Sequence, residues 1–257
     1  MCLLVLAWRV DPRYPLIVAA NRDEYHERPA APLARWEGPE GIVAGRDRRA
    51  GGTWLGIDAR HRFGVVTNFR DLQPAKPGAP SRGELIPGYL RQAAAPAAFF
   101  SSLASTAASY AGFNLLLADG DSLCYGSNRD EPFARELQPG IHGLSNQLLD
   151  TPWPKLVRVR RNFEACLKSG LSLQSLFAVL DDRERITDDR ELPQTGLPLE
   201  MERMLPSPFV LDAQYGTRCS TVLLRGVDGT VELVERRFDA AGELAGETRH
   251  LSAARAG

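Results

Sequence analysis

Nothing in this chain is apolar for long enough to span a bilayer, which takes about 20 residues in a row. No basic start precedes the apolar opening, and Trp8-Arg9 and Asp11 follow at once, so no cleaved secretion signal is expected. Charge of one sign is also scarce. The 31 basic and 32 acidic side chains leave a formal charge of -1, so no general attraction to nucleic acid or anionic membrane is expected. Cysteine is sparse: Cys2, Cys124, Cys166 and Cys219 stand far apart without a C-x-x-C pair. His26, His61, His142 and His250 are as scattered, so no zinc constellation is legible, and neither metal nor cofactor is expected. Lone thiols fit a reducing cytoplasm. No G-x-x-x-x-G-K phosphate loop and no repeat of solenoid period occurs.

What the chain does contain is strand signal. At 257 residues and 44% apolar it can bury a sizeable core, and without an obvious linker it reads as one domain, 1–257. Residues 2–10 and 16–20 flank a turn-rich link and predict a hairpin covered on both faces. The proline-rich stretch 29–39 reads as a loop, followed by a meander of short strands at 42–45, 53–58 and 63–69. Two helices are expected at 85–92 and 97–109, a hairpin at 113–118 and 122–126, and a strand at 142–145. Leu156, Val159, Phe163 and Cys166 recur at helical steps and predict a helix over 154–169, with a shorter partner at 173–180. The charged, proline-punctuated segment 181–208 reads as a long loop excursion. A last hairpin at 219–225 and 231–238 precedes a fraying strand and tail. Strands, helices, strands, helices, strands: this order predicts an α+β fold of antiparallel sheets and helix layers.

Position two is where chemistry can start. If Met1 is trimmed, which a small second residue permits, Cys2 carries a thiol and a free α-amine on one Cα. The amine can then act as base for its own nucleophile. Such a thiol needs groups to orient it, donors for an oxyanion, and a pocket for the acyl group. Polar residues at strand ends are the candidates: Asn21-Arg22-Asp23-Glu24, Asn68, Asn146, and Arg218 just before Cys219. The remaining cysteines read as small buried apolar residues, and His61, in a turn between two arginines, reads as exposed.

Asn21-Arg22-Asp23-Glu24 with Met1-Cys2, Ala44-Gly45-Arg46-Asp47 and Gly51-Gly52-Thr53-Trp54-Leu55-Gly56 resembles the NRDE proteins, the transport and Golgi organisation protein 2 family, over nearly the whole chain. That resemblance implies the four-layer αββα sandwich of N-terminal nucleophile hydrolases, and eukaryotic relatives linked to membrane traffic, lipid metabolism and haem handling. A more distant similarity to penicillin V acylases and bile salt hydrolases implies roles. Cys2 looks like the nucleophile, Asn68 and Asn146 like the two asparagines beside the oxyanion, Arg22 and Asp23 like the early Arg and Asp, and Arg218 like the late arginine. Arg22 and Asp23 are adjacent here, and strand neighbours point to opposite faces, so one of them is expected to face Cys2.

The expected function is a cysteine amidohydrolase or acyltransferase acting on a linear C–N amide, whose partner is a small-molecule amide. The rival is a non-catalytic carrier of a hydrophobic metabolite or haem, with Cys2 or a histidine as axial ligand, although no Cys-Pro haem motif occurs.

Overall fold

The computed structural model describes residues 3–71, 77–185, 189–192, 196 and 198–253. The first half of the chain runs β1 (Leu3–Trp8), β2 (Leu16–Tyr25), β3 (Ala30–Arg35), β4 (Val43–Asp47), β5 (Leu55–Ile57) and β6 (Phe63–Asn68). Then come α1 (Leu85–Leu90), α2 (Pro96–Leu103), β7 (Phe113–Ala118), β8 (Leu123–Ser127), β9 (Ala134–Glu136) and β10 (Gly140–Leu144). The rest is α3 (Pro154–Ser169), α4 (Leu173–Leu180), α5 (Leu199–Met204), β11 (Tyr215–Arg225), β12 (Val231–Phe238) and β13 (Leu244–Ser252). This is the expected α+β class, and among the described residues no helix is long and apolar enough to cross a membrane. Contacts gather into two bodies, 1–27 with 139–145 and 149–257, and 28–138 with 146–148.

The first body is a six-stranded antiparallel sheet in the order β10-β1-β2-β11-β12-β13. In the β1–β2 hairpin Leu3 faces Asn21 and Trp8 faces Leu16. Strand alternation sends Leu3, Val5, Ala7, Ile17 and Ala19 against Leu156, Val159 and Phe163 of α3 and Leu176 and Leu180 of α4. Leu4, Leu6, Val18 and Ala20, on the opposite face, are buried as well, as a run apolar on both faces requires. Both helices lie where their apolar spacing predicts, α3 ending at Gly170 with φ 118° and α4 opening on a reciprocal Ser172–Ser175 cap. β13 is a full edge strand paired with β12 rather than a fraying end. Its side chains alternate between partial and full exposure, so hydrophobicity barely marks it and backbone pairing holds it. The described part of 181–208 carries α5, which the charged composition hides.

The second body is a seven-stranded antiparallel sheet in sequence order, β3 to β9. α1 and α2 cover one face, burying Ile86, Tyr89, Leu90, Phe99 and Phe100 with Val66, Leu115 and Leu117. The stretch read as a proline-rich loop holds β3. Pro32 is tolerated because the strand lies at the sheet edge and its register with β4 shifts between Ala31 and Ala34. Gly52 answers a packing demand: a Cβ there would sit 2.4 Å from the backbone carbonyl of Gly83. Asp47 closes the adjoining turn, accepting from the Arg49 and Ala50 N–H groups and from Arg28 Nε. His61 is buried, contrary to the sequence reading. It takes φ 61° at the turn between β5 and β6, beside the buried Asp58–Arg62 pair.

Candidate functional site

Cys2 lies outside the described residues; the structure places the other five sequence candidates. Three of them occupy one corner of the first body. Asn21, Arg22 and Asp23 close the buried part of β2, where β11 runs alongside with Asn21 opposite Ser220, Arg22 opposite Cys219 and Asp23 opposite Thr217. Between Thr217 and Cys219 the register shifts, so Arg218 is the extra residue of a bulge. Bulges re-aim a side chain, and this one sends the Arg218 guanidinium to the Tyr25 and His26 carbonyls at 2.9 and 3.0 Å.

Alternation then divides the corner between two faces. Asn21 and Asp23 follow Ile17 and Ala19 onto the helix face. There Asn21 Nδ2 donates to the carbonyls of Leu180 and Pro208, both at 2.9 Å, and its Oδ1 accepts from Ser220 Oγ at 2.6 Å. Asp23 Oδ1 accepts from Thr217 Oγ1 at 2.7 Å, and that hydroxyl in turn accepts from the Val210 N–H. Arg22 follows Leu16, Val18 and Ala20 onto the other face with Glu24, whose carboxylate is 3.6 Å from the guanidinium. Burial, and then the like charge of Arg22, lower the pKa of Arg218, while Cys219 and Glu24 oppose the shift. The corner therefore sets the Arg22–Glu24 pair on one face and the Asp23 carboxylate, bonded to Thr217, on the other.

Asn21, to which the resemblance assigns no role, makes three side-chain hydrogen bonds in this corner. Asn21→Leu strands two buried carbonyls and a hydroxyl, each costing about 1–3 kcal/mol if unpaired. We expect the chain to lose about 2–3 kcal/mol of stability, read as a lower urea midpoint at unchanged slope. A loss within error would show that water replaces all three bonds.

The two asparagines lie together in the second body. Asn68 is exposed at the end of β6, while Asn146 is buried with φ 53° and donates from Nδ2 to the Asn68 carbonyl at 3.0 Å. The Asn146 carbonyl accepts the Arg70 N–H at 2.6 Å. Behind them Asn114, fully buried, donates to Thr67 Oγ1 and the Gln147 carbonyl and accepts from the Tyr125 hydroxyl at 2.8 Å. Sequence reading missed Asn114, yet a lone amide inside the apolar run Phe113–Ala118 is a signal, because a buried amide must find partners.

Among the described residues no group of three or more His, Cys, Asp or Glu side chains could hold a metal ion. Cys124, Cys166 and Cys219 are all buried.

Comparison with solved structures finds the Caenorhabditis elegans ortholog of N-acylethanolamine-hydrolysing acid amidase at TM-score 0.52 and 9% identity, covering 87% of this chain and 92% of that one. At that identity the likeness shows the fold, which is that of the N-terminal nucleophile hydrolases. A family model described as Transport and Golgi organisation 2 matches residues 1–240. The Mus musculus Transport and Golgi organization 2 homolog is 36% identical over 92% of each chain, and the Drosophila melanogaster Transport and Golgi organization protein 2 is 25% identical over 91% of each. The chain thus belongs to the Transport and Golgi organisation 2 family, as its Asn21–Glu24 motif implies.

Proposed function

We propose that the chain is an N-terminal cysteine amidohydrolase or acyltransferase acting on a linear C–N amide. The observation that carries the reading is the cluster of Arg22, Asp23 and Arg218 where β2 and β11 run together, at the end of the sheet where β1 begins. Cys2 is bonded to Leu3, whose partner is Asn21.

In this reading Met1 is removed and the α-amine takes the thiol proton. The Cys2 sulfur adds to the amide carbonyl, and the carbonyl oxygen gains the negative charge. The C–N bond breaks, the amine leaves with the proton held by the α-amine, and a thioester remains on Cys2. Water releases a carboxylic acid, or a second amine releases a new amide. Arg22 supports the thiolate, and Arg218 and Asp23 hold the corner around it. Asn68 and Asn146, or nearby backbone N–H groups, are the donors that the resemblance assigns to the oxyanion. A nucleophilic thiol that must stay reduced suits the cytoplasm. The worm amidase, whose name describes amide hydrolysis, supports the reaction class through fold alone.

The test is intact mass and peptide mapping of the full chain incubated with an activated N-acyl amide or a β-lactam. The expected result is a chain lacking Met1 with one acyl group on Cys2. A chain that keeps Met1, or that stays unmodified at Cys2, overturns the proposal and turns attention to the carrier reading.

A further inference from the structure

We propose that a cleft in the first body, where the ends of β2 and β11 face α5, binds an organic cation: a primary or quaternary amine carrying an apolar body. The cleft measures about 980 Å³, at the upper end of the range that small-molecule sites occupy. Its apolar wall is Tyr25, Tyr215, Met201 and Leu205. Tyr25 is 50% exposed, an unusual position for a large ring, yet it is held edge-to-face against Tyr215 with centroids 5.2 Å apart. A fixed, half-exposed aromatic pair offers π-faces to a cation at little ordering cost.

Charge decides the sign of the occupant. The described lining carries three carboxylates, Asp189, Glu200 and Asp212, against two guanidiniums, Arg185 and Arg203. Arg203 is committed to Asp189 through two bonds of 2.9 and 2.7 Å. Asp212 accepts the Gln214 and Tyr215 N–H groups, which hold its carboxyl below the usual range, and Arg185 donates to the Leu211 carbonyl. Glu200 stands exposed on α5, where its charge also acts on Arg203. By the described lining an anionic ligand would meet one more carboxylate than guanidinium, whereas an ammonium group would have Glu200, Asp212 and the two tyrosine rings available to it. The site is independent of the thiol chemistry and goes beyond it.

The experiment titrates matched probes, 4-phenylbutylamine and 4-phenylbutyrate, into the full chain and into Cys2→Ala by isothermal calorimetry. The amine is expected to bind about tenfold more tightly than the carboxylate in both proteins. Tyr25→Ala and Glu200→Gln are each expected to weaken the amine about three- to fivefold without moving the melting curve. Equal binding of the two probes, no binding of the amine, or an amine affinity unchanged in both variants overturns the proposal. Should Tyr25→Ala fail to fold, Glu200→Gln on the exposed side of α5 decides alone. Because Cys2→Ala cannot acylate, failure here is distinct from failure of the hydrolase reading.

Discussion

Cys2→Ala is expected to cut acylation by an activated N-acyl amide at least a thousandfold, to background, with the melting curve unchanged. The size follows from what is removed: a chain with no sulfur at position two forms no thioester, and losing a nucleophile removes most of the rate at once. Cys2→Ser keeps a small second residue, so Met1 is still trimmed and the α-amine survives. Its hydroxyl is a far weaker acid, so its rate should fall between the two. The other thiols will not obscure the result. Burial, with the charges of Glu136 and Asp119, pushes Cys124 up to about 11, and burial followed by Glu235 raises Cys219 well above the ordinary thiol range. Both therefore stay protonated and inert at neutral pH. Cys166 is buried and donates to Ser175 Oγ. The pH profile carries a second check. The α-amine must be unprotonated to accept the thiol proton, so acylation should fall as the pH is lowered and the amine becomes protonated. A variant that labels as fast as the parent removes Cys2 from the chemistry. Loss of labelling with loss of fold would be resolved by Cys2→Ser, which changes one atom.

Where the sequence was informative, a period or a chemical oddity was at work. α3 and α4 are legible because apolar residues recur at helical steps and glycine or serine marks their ends. β1 and β2 are legible because an apolar run that short, beside a turn, must be a strand covered on both faces. β3 and β13 are not: one contains proline and the other alternates between polar residues, so what makes them strands is a neighbour's free edge. The site divides the same way. Arg22, Asp23 and Arg218 stand out as charges against apolar strands, and the alternation that separates Arg22 from Asp23 is a rule of the backbone alone. The bulge that re-aims Arg218 has no local signature, because it depends on how β11 registers against β2. Asn21 and Asn114 share that difficulty. Their partners, Leu180, Pro208 and Ser220 for one and Tyr125 and Gln147 for the other, are remote in sequence or set by register.

The largest stability effect should come from the turn whose His61 the sequence reading takes as exposed. Arg62→Met is expected to cost about 3 kcal/mol, because it leaves the buried Asp58 carboxylate only the exposed Arg60 guanidinium, 3.6 Å away, and strips two carbonyls of their donor. Arg62 Nε donates to Asp58 Oδ2 at 2.8 Å, and the rest of the head donates to the carbonyls of Leu90 at 2.6 Å and Ala94 at 3.2 Å. It also lies over the Tyr89 ring, 4.8 Å from its centroid. One side chain thus ties the β5–β6 turn to the carbonyl end of α1, where a cation is also favoured by the helix dipole. Arg62→Lys keeps the charge but not the planar fork, so it should fall between parent and Met. Asp58→Asn combined with Arg62→Met should cost less than the sum of the single changes, since no buried carboxylate is left to depend on the distant Arg60. Urea denaturation of the parent, the three single variants and the double variant reads all of this directly. An Arg62→Met loss below about 1 kcal/mol would mean that the carboxylate finds water, and that the corner is as open as its three basic neighbours in sequence imply.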